Sequence, residues 1–307
     1  MSKDFISITD FSAVEIINLL NLADDLKKNS VEIKNNKKDA GRTLALLFEK
    51  PSLRTRVSFE VAFQKLGGNV IYLSPEEVGF GKREDIKDIA KVLERYVDII
   101  ALRVFSHENL VKFANYTKIP IINALSDKEH PCQILADLMT MREHNKKLDE
   151  NTTVVFIGDG NNVATSLALA CASLGIHFRL ATPQDRNLPE EIWEKAYQLG
   201  ADSGSIFSHS VDIKKAIAGA DVVYTDTWIS MGDEAEAEKR RKIFVPFQVN
   251  QESFKLAKPD AIFLHCLPAH RGEEVTDEVL DSARSVVYDQ AENRRWVQQA
   301  LFIKILG

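Results

Sequence analysis

Residues 49–60 read EKPSLRTRVSFE and set Ser52, Arg54, Thr55 and Arg56 within five positions. Hydroxyls and planar guanidiniums are hydrogen-bond donors, and a phosphate needs donors converging from several directions. The cluster lies between an apolar strand-like run and an apolar helix-like run. At a helix start, unpaired backbone N–H groups and the positive end of the dipole favour an anion. The same residues equally suit a capped helix with solvated arginines. The lysine pattern of a nucleotide P-loop is missing, which sets that chemistry aside. Further polar clusters are Arg103 in LRVFSH, HPCQ (130–133), DGNN (159–162), DTWISMG (226–232) and HCLP (265–268). Each has an ordinary structural role open to it. His130 suits a cap before a proline-started helix, and Asp226 suits another cap. Met231 suits a core position and Cys266 a buried small hydrophobe.

The segments between these clusters decide where they fall. TLALLFE (43–49), NVIYL (69–73), DIIALR (98–103) and IPIINAL (119–125) predict buried strands. The pattern restarts with TVVFIG (153–158), HFRLATP (177–183), DVVYTDT (221–227), AIFLHC (261–266) and SVVYDQ (285–290). Between the strands, apolar residues recur at three and four, the period of amphipathic helices. A first helix is expected from a cap at Thr9 or Asp10 to about Lys28, and a long one from Pro131 to about His144. This alternation predicts an α/β fold of two domains, each a parallel sheet flanked by helices. The polar stretch NKKLDENT (145–152) separates a first domain, 1–147, from a second, 148–290. A terminal helix, about 291–307, is expected to pack back on the first, although its own pattern does not say so. Open parallel sheets bind ligands beyond the carboxyl ends of their strands. The polar clusters fall there, so an active site in the interdomain cleft is expected.

Composition narrows the class. With 45% apolar and 27% charged residues the chain reads as a soluble globular protein. A net charge of −6 argues against a nucleic-acid partner. The start, MSKDFISITDF, has no signal-peptide core, and no run of about 18 apolar residues suggests a membrane span. Cys132, Cys171 and Cys266 are spaced neither as a disulfide framework nor as a zinc site. Reduced thiols in the cytoplasm are expected, with Cys132 and Cys171 structural.

SLRTR, Arg103 in LRVFSH and HPCQ, in this order, resemble the aspartate/ornithine carbamoyltransferase family over essentially the whole chain. DTWISMG and HCLP resemble the amino-acid-binding loop and cysteine motif of its ornithine branch. The aspartate branch lacks both, and the putrescine and N-acylornithine relatives differ at the loop. The resemblance implies transfer of a carbamoyl group from carbamoyl phosphate to the δ-amine of L-ornithine, giving citrulline and phosphate. It also implies a place in arginine metabolism, a homotrimer, and no metal or organic cofactor. A dinucleotide-binding oxidoreductase is the competing reading of VVFIGDGNNVATSLALA. However, Val163 stands where that fingerprint needs a third glycine after Gly158 and Gly160, and RLATP offers no acidic residue for a ribose. An inactive scaffold is the remaining alternative.

Within the carbamoyltransferase reading, Ser52, Arg54, Thr55, the backbone of Leu53 and Arg103 are the expected phosphate donors. Arg56 is assigned instead to holding the loop by pairing with a carboxylate. Thr55, Arg103 and His130 would donate to the oxyanion of the tetrahedral centre. Gln133 and the backbone carbonyls around Cys266 and Leu267 would accept from the carbamoyl NH2, and the resemblance adds Arg294 in AENRRW. Asp226 suits the ornithine ammonium. Asn162, the Ser230 hydroxyl and the Met231 backbone suit its other end, with Asn161 in place of Asn162 if DGNN is offset by one. The δ-amine, with a lysine-like pKa of about 10.4, must lose a proton before it attacks. Cys266 and Asp226 are the candidates to remove it.

Two positions depart from the family pattern. Leu53 stands where a threonine is usual. Gly79 stands where relatives carry Gln or His, a side chain that reaches the neighbouring subunit's phosphate site. Lys82 or Arg83 either restores that contact in trans or is a solvated loop charge. The charged stretch 232–247 either closes over the amino acid or is an exposed helix.

Overall fold

Leu44–Phe48 and Ile99–Arg103 show no polar alternation and are buried at every position. Strands of a parallel sheet covered on both faces have this character. A computed structural model of the chain describes residues 4–29, 39–79, 84–229 and 234–307. It divides into two compact units, Met1–Met139 with Glu292–Gly307, and Thr140–Ala291.

The first unit runs α1 (Ala13–Lys28), β1 (Thr43–Phe48), α2 (Leu53–Lys65), β2 (Asn69–Leu73), α3 (Pro75–Val78), α4 (Ile86–Leu93), β3 (Ile99–Arg103), α5 (His107–Tyr116), β4 (Ile121–Leu125) and the start of α6 (Pro131–Glu143). The strands lie parallel in the order β2-β1-β3-β4. The order therefore reverses between β1 and β3, the position where open α/β sheets part their loops. Phe48 pairs in register with Arg103, so β1 and β3 end level. The Glu49 N–H donates to the Arg103 carbonyl at 2.8 Å, tying the start of the β1–α2 loop to that edge. Ile100, Leu102, Ala90 and Phe113 belong to one core cluster.

The second unit holds β5 (Thr153–Ile157), α7 (Asn162–Leu174), β6 (His177–Ala181), α8 (Glu190–Ser203), β7 (Phe207–Ser210), α9 (Ile213–Ile217), β8 (Val222–Thr225), α10 (Ala237–Phe244), α11 (Gln251–Phe254), β9 (Ile262–Leu264) and α12 (Asp277–Leu280). Its parallel order is β7-β6-β5-β8-β9, reversing between β5 and β8, and Ile157 pairs with Thr225. DGNN and DTW thus leave adjacent strands at the same edge. Gly160 is glycine for a packing reason. A Cβ there would stand 2.6 Å from the Asn187 carbonyl carbon and 2.7 Å from the Leu188 nitrogen. That close approach by itself accounts for the second glycine of the turn.

The last helix, α13, spans Val287–Leu306. In the first unit its Phe302 packs edge-on against Phe59 and Phe63 of α2, at centroid distances of 5.9 and 4.8 Å.

Three local expectations need correction. SVVYDQ is not a strand: Ser285 makes one isolated bridge to Phe263, and α13 begins at Val287. A short β-branched run is ambiguous between strand and buried helix start, and here the helix wins. The strand β7, in contrast, escaped detection because FSHS is an edge strand with one buried anchor, Phe207. Finally, α1 is capped by Ser12. The Ser12 Oγ accepts from the Glu15 N–H, and the Glu15 carboxylate accepts from the Ser12 N–H. Thr9 and Asp10 sit in a preceding 3-10 turn, Ile8–Asp10. Among the described residues no helix is long and apolar enough to cross a membrane.

Candidate active site

In the first unit the polar groups gather where α2 begins. Ser52 caps the helix, its Oγ accepting from the Thr55 N–H at 3.3 Å, which leaves the hydroxyl hydrogen free to donate. Leu53, 74% exposed, contributes only backbone to this corner. Arg54 is half-buried and makes no hydrogen bond or ion pair with any described residue. Arg56 is exposed and otherwise engaged. Its Nε donates to Glu60 at 2.8 Å, and its guanidinium stacks over Tyr72 at 3.8 Å.

Thr55 is the centre of the cluster, 2% exposed. Its Oγ1 accepts from Arg294 Nη2 at 2.9 Å and from Arg103 Nη1 at 3.4 Å. With both lone pairs used, its own hydrogen is directed outward as a donor. Arg294, on α13, also donates through Nη1 to Gln133 Oε1 and stands 3.4 Å from His130 Nε2. A guanidinium only donates, so Nε2 accepts and the imidazole proton sits on Nδ1. Burial, then the charges of Arg294 and Arg103, hold the His130 pKa well below the ordinary 6.5. His130 is therefore neutral at pH 7. Two buried guanidiniums on one hydroxyl, beside Arg54 and a helix N-terminus, form a strongly anion-seeking cluster.

In the second unit Asp226 is buried just past β8 and both its oxygens are engaged. Asn161 Nδ2 donates to Oδ2 at 2.8 Å, and Cys266 Sγ donates to Oδ1 at 3.1 Å. Asn161 also caps α7, its Oδ1 accepting from the Val163 and Ala164 N–H groups. Its side chain is thus consumed, while Asn162 occupies the first helical position. Leu267 adopts the left-handed backbone at φ 57° and is followed by a cis bond to Pro268. Its N–H donates to His265 Nδ1 at 2.9 Å. The His265 proton therefore sits on Nε2, facing Glu274 Oε1 at 3.1 Å, both residues fully buried. Asp226, His265 and Cys266 bring ligand-type atoms within 4.8 Å of one another. Both nitrogens of His265 are nonetheless occupied, by the Leu267 N–H and by Glu274, while Cys266 and Asp226 bond each other.

The first unit therefore groups Ser52, Leu53, Arg54, Thr55, Arg103, His130, Gln133 and Arg294, and the second groups Asn162, Asp226, Cys266 and Leu267. Ser230, Met231, Lys82 and Arg83 lie outside the described residues. Gly79 ends α3 in the left-handed conformation at φ 50°, where a side chain would be strained. In the charged stretch 232–247, residues 237–244 form α10, whose Arg240 and Phe244 are buried. Arg240 Nη1 donates to Asp159 Oδ2 at 2.8 Å and to the Trp228 carbonyl at 3.1 Å. It thereby ties the DGNN turn to the DTW segment. Sequence reasoning missed Arg240, Glu274 and Asp137, which bond to Asp159, His265 and Gln133. Cys132 and Cys171 are free and buried, and burial pushes the Cys132 thiol up to about 12.

Two parallel sheets flanked by helices, the first gathering cationic donors and the second a carboxylate beside a thiol near the edges where their strand orders reverse, define the class as α/β. The family model described as "Aspartate/ornithine carbamoyltransferase, carbamoyl-P binding domain" matches residues 3–143. Its companion, the "Asp/Orn binding domain", matches residues 150–305. The ornithine carbamoyltransferase of Anoxybacillus flavithermus is 48% identical over 304 residues, 99% of this chain and 96% of that one. The solved structure of the Pyrococcus furiosus ornithine carbamoyltransferase is 49% identical, with a TM-score of 0.94 over 97% of this chain and 95% of that one. The anabolic ornithine carbamoyltransferase of Campylobacter jejuni, also solved, is 41% identical, with a TM-score of 0.93 over 99% of each chain. The chain belongs to the aspartate/ornithine carbamoyltransferase family and is a carbamoyltransferase.

Proposed function

We propose that the acceptor is L-ornithine: the carbamoyl group of carbamoyl phosphate moves to its δ-amine, giving L-citrulline and phosphate. The observation that carries the reading is the convergence of buried Arg103 and Arg294 on Thr55, with His130 and Gln133 beside Arg294. The chain's relatives 48% and 49% identical, both ornithine carbamoyltransferases, supply the amino acid.

The phosphate is held by Ser52, Arg54, Thr55, the Leu53 N–H and Arg103. The δ-ammonium first gives up one proton to Cys266 or Asp226, whose Sγ and Oδ1 lie 3.1 Å apart. The amine nitrogen then forms a bond to the carbonyl carbon, and the carbonyl oxygen becomes negative. Thr55, Arg103 and neutral His130 donate to it, and loss of one such donor typically costs on the order of 100- to 1000-fold in rate. As the centre collapses, the carbon–oxygen bond to phosphate breaks, phosphate leaves with the electron pair, and the nitrogen's second proton is released. Gln133 Oε1 and the carbonyls at Cys266 and Leu267 accept from the carbamoyl NH2, with Arg294 holding Gln133. Asp226 takes the ornithine ammonium, and Asn162, Ser230 and Met231 its other end. A cytoplasmic homotrimer serving arginine metabolism, with Lys82 or Arg83 completing a neighbour's phosphate site, belongs to the same proposal.

The test is citrulline formation from carbamoyl phosphate and ornithine, run beside putrescine, N-acetylornithine and aspartate. Ornithine is expected to give the highest kcat/KM. A higher value with any of the other three would overturn the assignment.

A further inference from the structure

Asp137 has no role in the steps above, yet it is completely buried one helical turn beyond Gln133. Gln133 Nε2 donates to Asp137 Oδ1 at 2.8 Å, and Gln133 Oε1 accepts from Arg294. A glutamine amide has two ends of the same size and opposite hydrogen-bonding sense. Here the neighbours dictate which end goes where. Turning the amide over would set its NH2 against a guanidinium that can only donate, and its oxygen against a carboxylate oxygen. Both contacts would become repulsive in a place where Gln133 is 1% exposed and water cannot repair them.

We propose that Asp137 is a specificity-determining positioning residue, which holds Gln133 with its acceptor oxygen toward the Arg294–Thr55–His130 cluster. The consequence is selection among acyl phosphates. Carbamoyl phosphate and acetyl phosphate share the phosphate and the carbonyl and differ in NH2 against CH3. A fixed acceptor rewards the NH2 and leaves the methyl without a partner. The inference rests on the reading of this cluster as the carbamoyl phosphate site.

Two stable probes separate the possibilities. Phosphonoacetamide carries the amide NH2, and 2-oxopropylphosphonate carries a methyl in its place. Their Kd values are measured by titration calorimetry on the full chain, with inorganic phosphate as the reference. The unsubstituted protein is expected to favour the amide about tenfold, the size of one hydrogen bond. In Asp137→Leu, with Arg294 alone still calling for the Gln133 oxygen, the preference should fall about fivefold while phosphate affinity stays within about twofold, since Arg54 and Ser52 are untouched. In Asp137→Asn either end of the new amide can face Gln133, and the preference should fall about threefold. The milder variant carries the test alone if the leucine variant does not fold. A probe ratio that is unchanged in the folded variants would overturn the role of Asp137. Equal affinity for both probes in the unsubstituted protein would instead remove the carbamoyl phosphate reading beneath it. A purely structural role would lower the melting temperature and leave the ratio alone.

Discussion

Arg54→Ala separates phosphate binding from the stability of the fold. Arg103 and Arg294 are each bonded to Thr55, so replacing either disturbs packing as well as charge. Arg54 has no hydrogen bond or ion pair with any described residue, so its loss strands nothing. The stability change should stay within about 0.5 kcal/mol, roughly 1–2 °C in Tm for a protein of this size. Its guanidinium, at the first turn of α2, can offer a bidentate pair of charge-assisted hydrogen bonds worth about 1.5–3 kcal/mol each. Water and the remaining donors recover part of this. A net loss of about 3–4 kcal/mol is expected, or roughly 100- to 1000-fold in Kd. Calorimetric titration with carbamoyl phosphate, and separately with inorganic phosphate, reads the effect without ornithine. Both ligands should weaken together, because the contact is to the group they share. Arg56→Ala is the internal control. That arginine is spent on Glu60 and Tyr72, so its removal should change Kd by less than about twofold. An Arg54→Ala protein that binds within threefold of the original would refute the phosphate-cradle argument.

Three other outcomes are expected. Cys266→Ala removes the thiol that donates to Asp226 at 3.1 Å. It should raise the ornithine KM about tenfold and lower kcat, with carbamoyl phosphate Kd unchanged; unaltered steady-state constants for ornithine would take Cys266 out of the mechanism. His130 has a folded pKa depressed below 6.5, so below pH 6.5 the unfolded chain binds a proton that the folded one refuses. Stability should be full above that pH and fall on acidification by up to about 1.4 kcal/mol per pH unit, until the pH passes the folded pKa. His130→Asn should flatten that part of the urea-midpoint profile, and an identical slope in both proteins would contradict the assignment. Arg240→Met removes the 2.8 Å partner of the half-buried Asp159 and should cost about 1.5–3 kcal/mol in urea unfolding, the size of a hydrogen bond to a charged group. A cost below about 1 kcal/mol would mean that Arg240 does not bind the two loops together.

What was legible in the chain follows from who each residue answers to. The central strands β1, β3, β5 and β8 are apolar through their middles because helices cover both faces, and such runs stand out in a sequence. The edge strand β7 answers to one neighbour only, and its exposed Ser208 and His209 hide it. SVVYDQ shows the converse. Val286 and Val287 are buried because they pack, and that apolar signal is the same for a strand as for the first turn of α13. The start of α1 differs from the expected cap at Thr9 or Asp10 because both residues, capping types themselves, belong to the 3-10 turn that Ser7 opens, and Ser12 caps the helix.

The site divides along a similar line. Ser52, Arg54, Thr55, His130 and Gln133 sit in two short contiguous motifs, since groups carried by one loop and helix start are close in sequence. Asp137 and Glu274 meet no substrate in this scheme. In QILADLMTM and RGEEV they look like the polar face of a helix and a charged turn, and yet both are fully buried. Each sits against a side chain whose two ends are sterically alike: the amide of Gln133 and the imidazole of His265. Residue type alone leaves such groups undecided between donor and acceptor. A buried carboxylate decides, in one unit making Gln133 present its oxygen, and in the other placing the His265 proton so that Nδ1 receives the Leu267 N–H. The chemistry legible in the motifs thus depends on carboxylates that the motifs do not contain. Substitutions at Asp137 and Glu274 should accordingly change what Gln133 and the HCLP loop recognise before they change whether the chain folds.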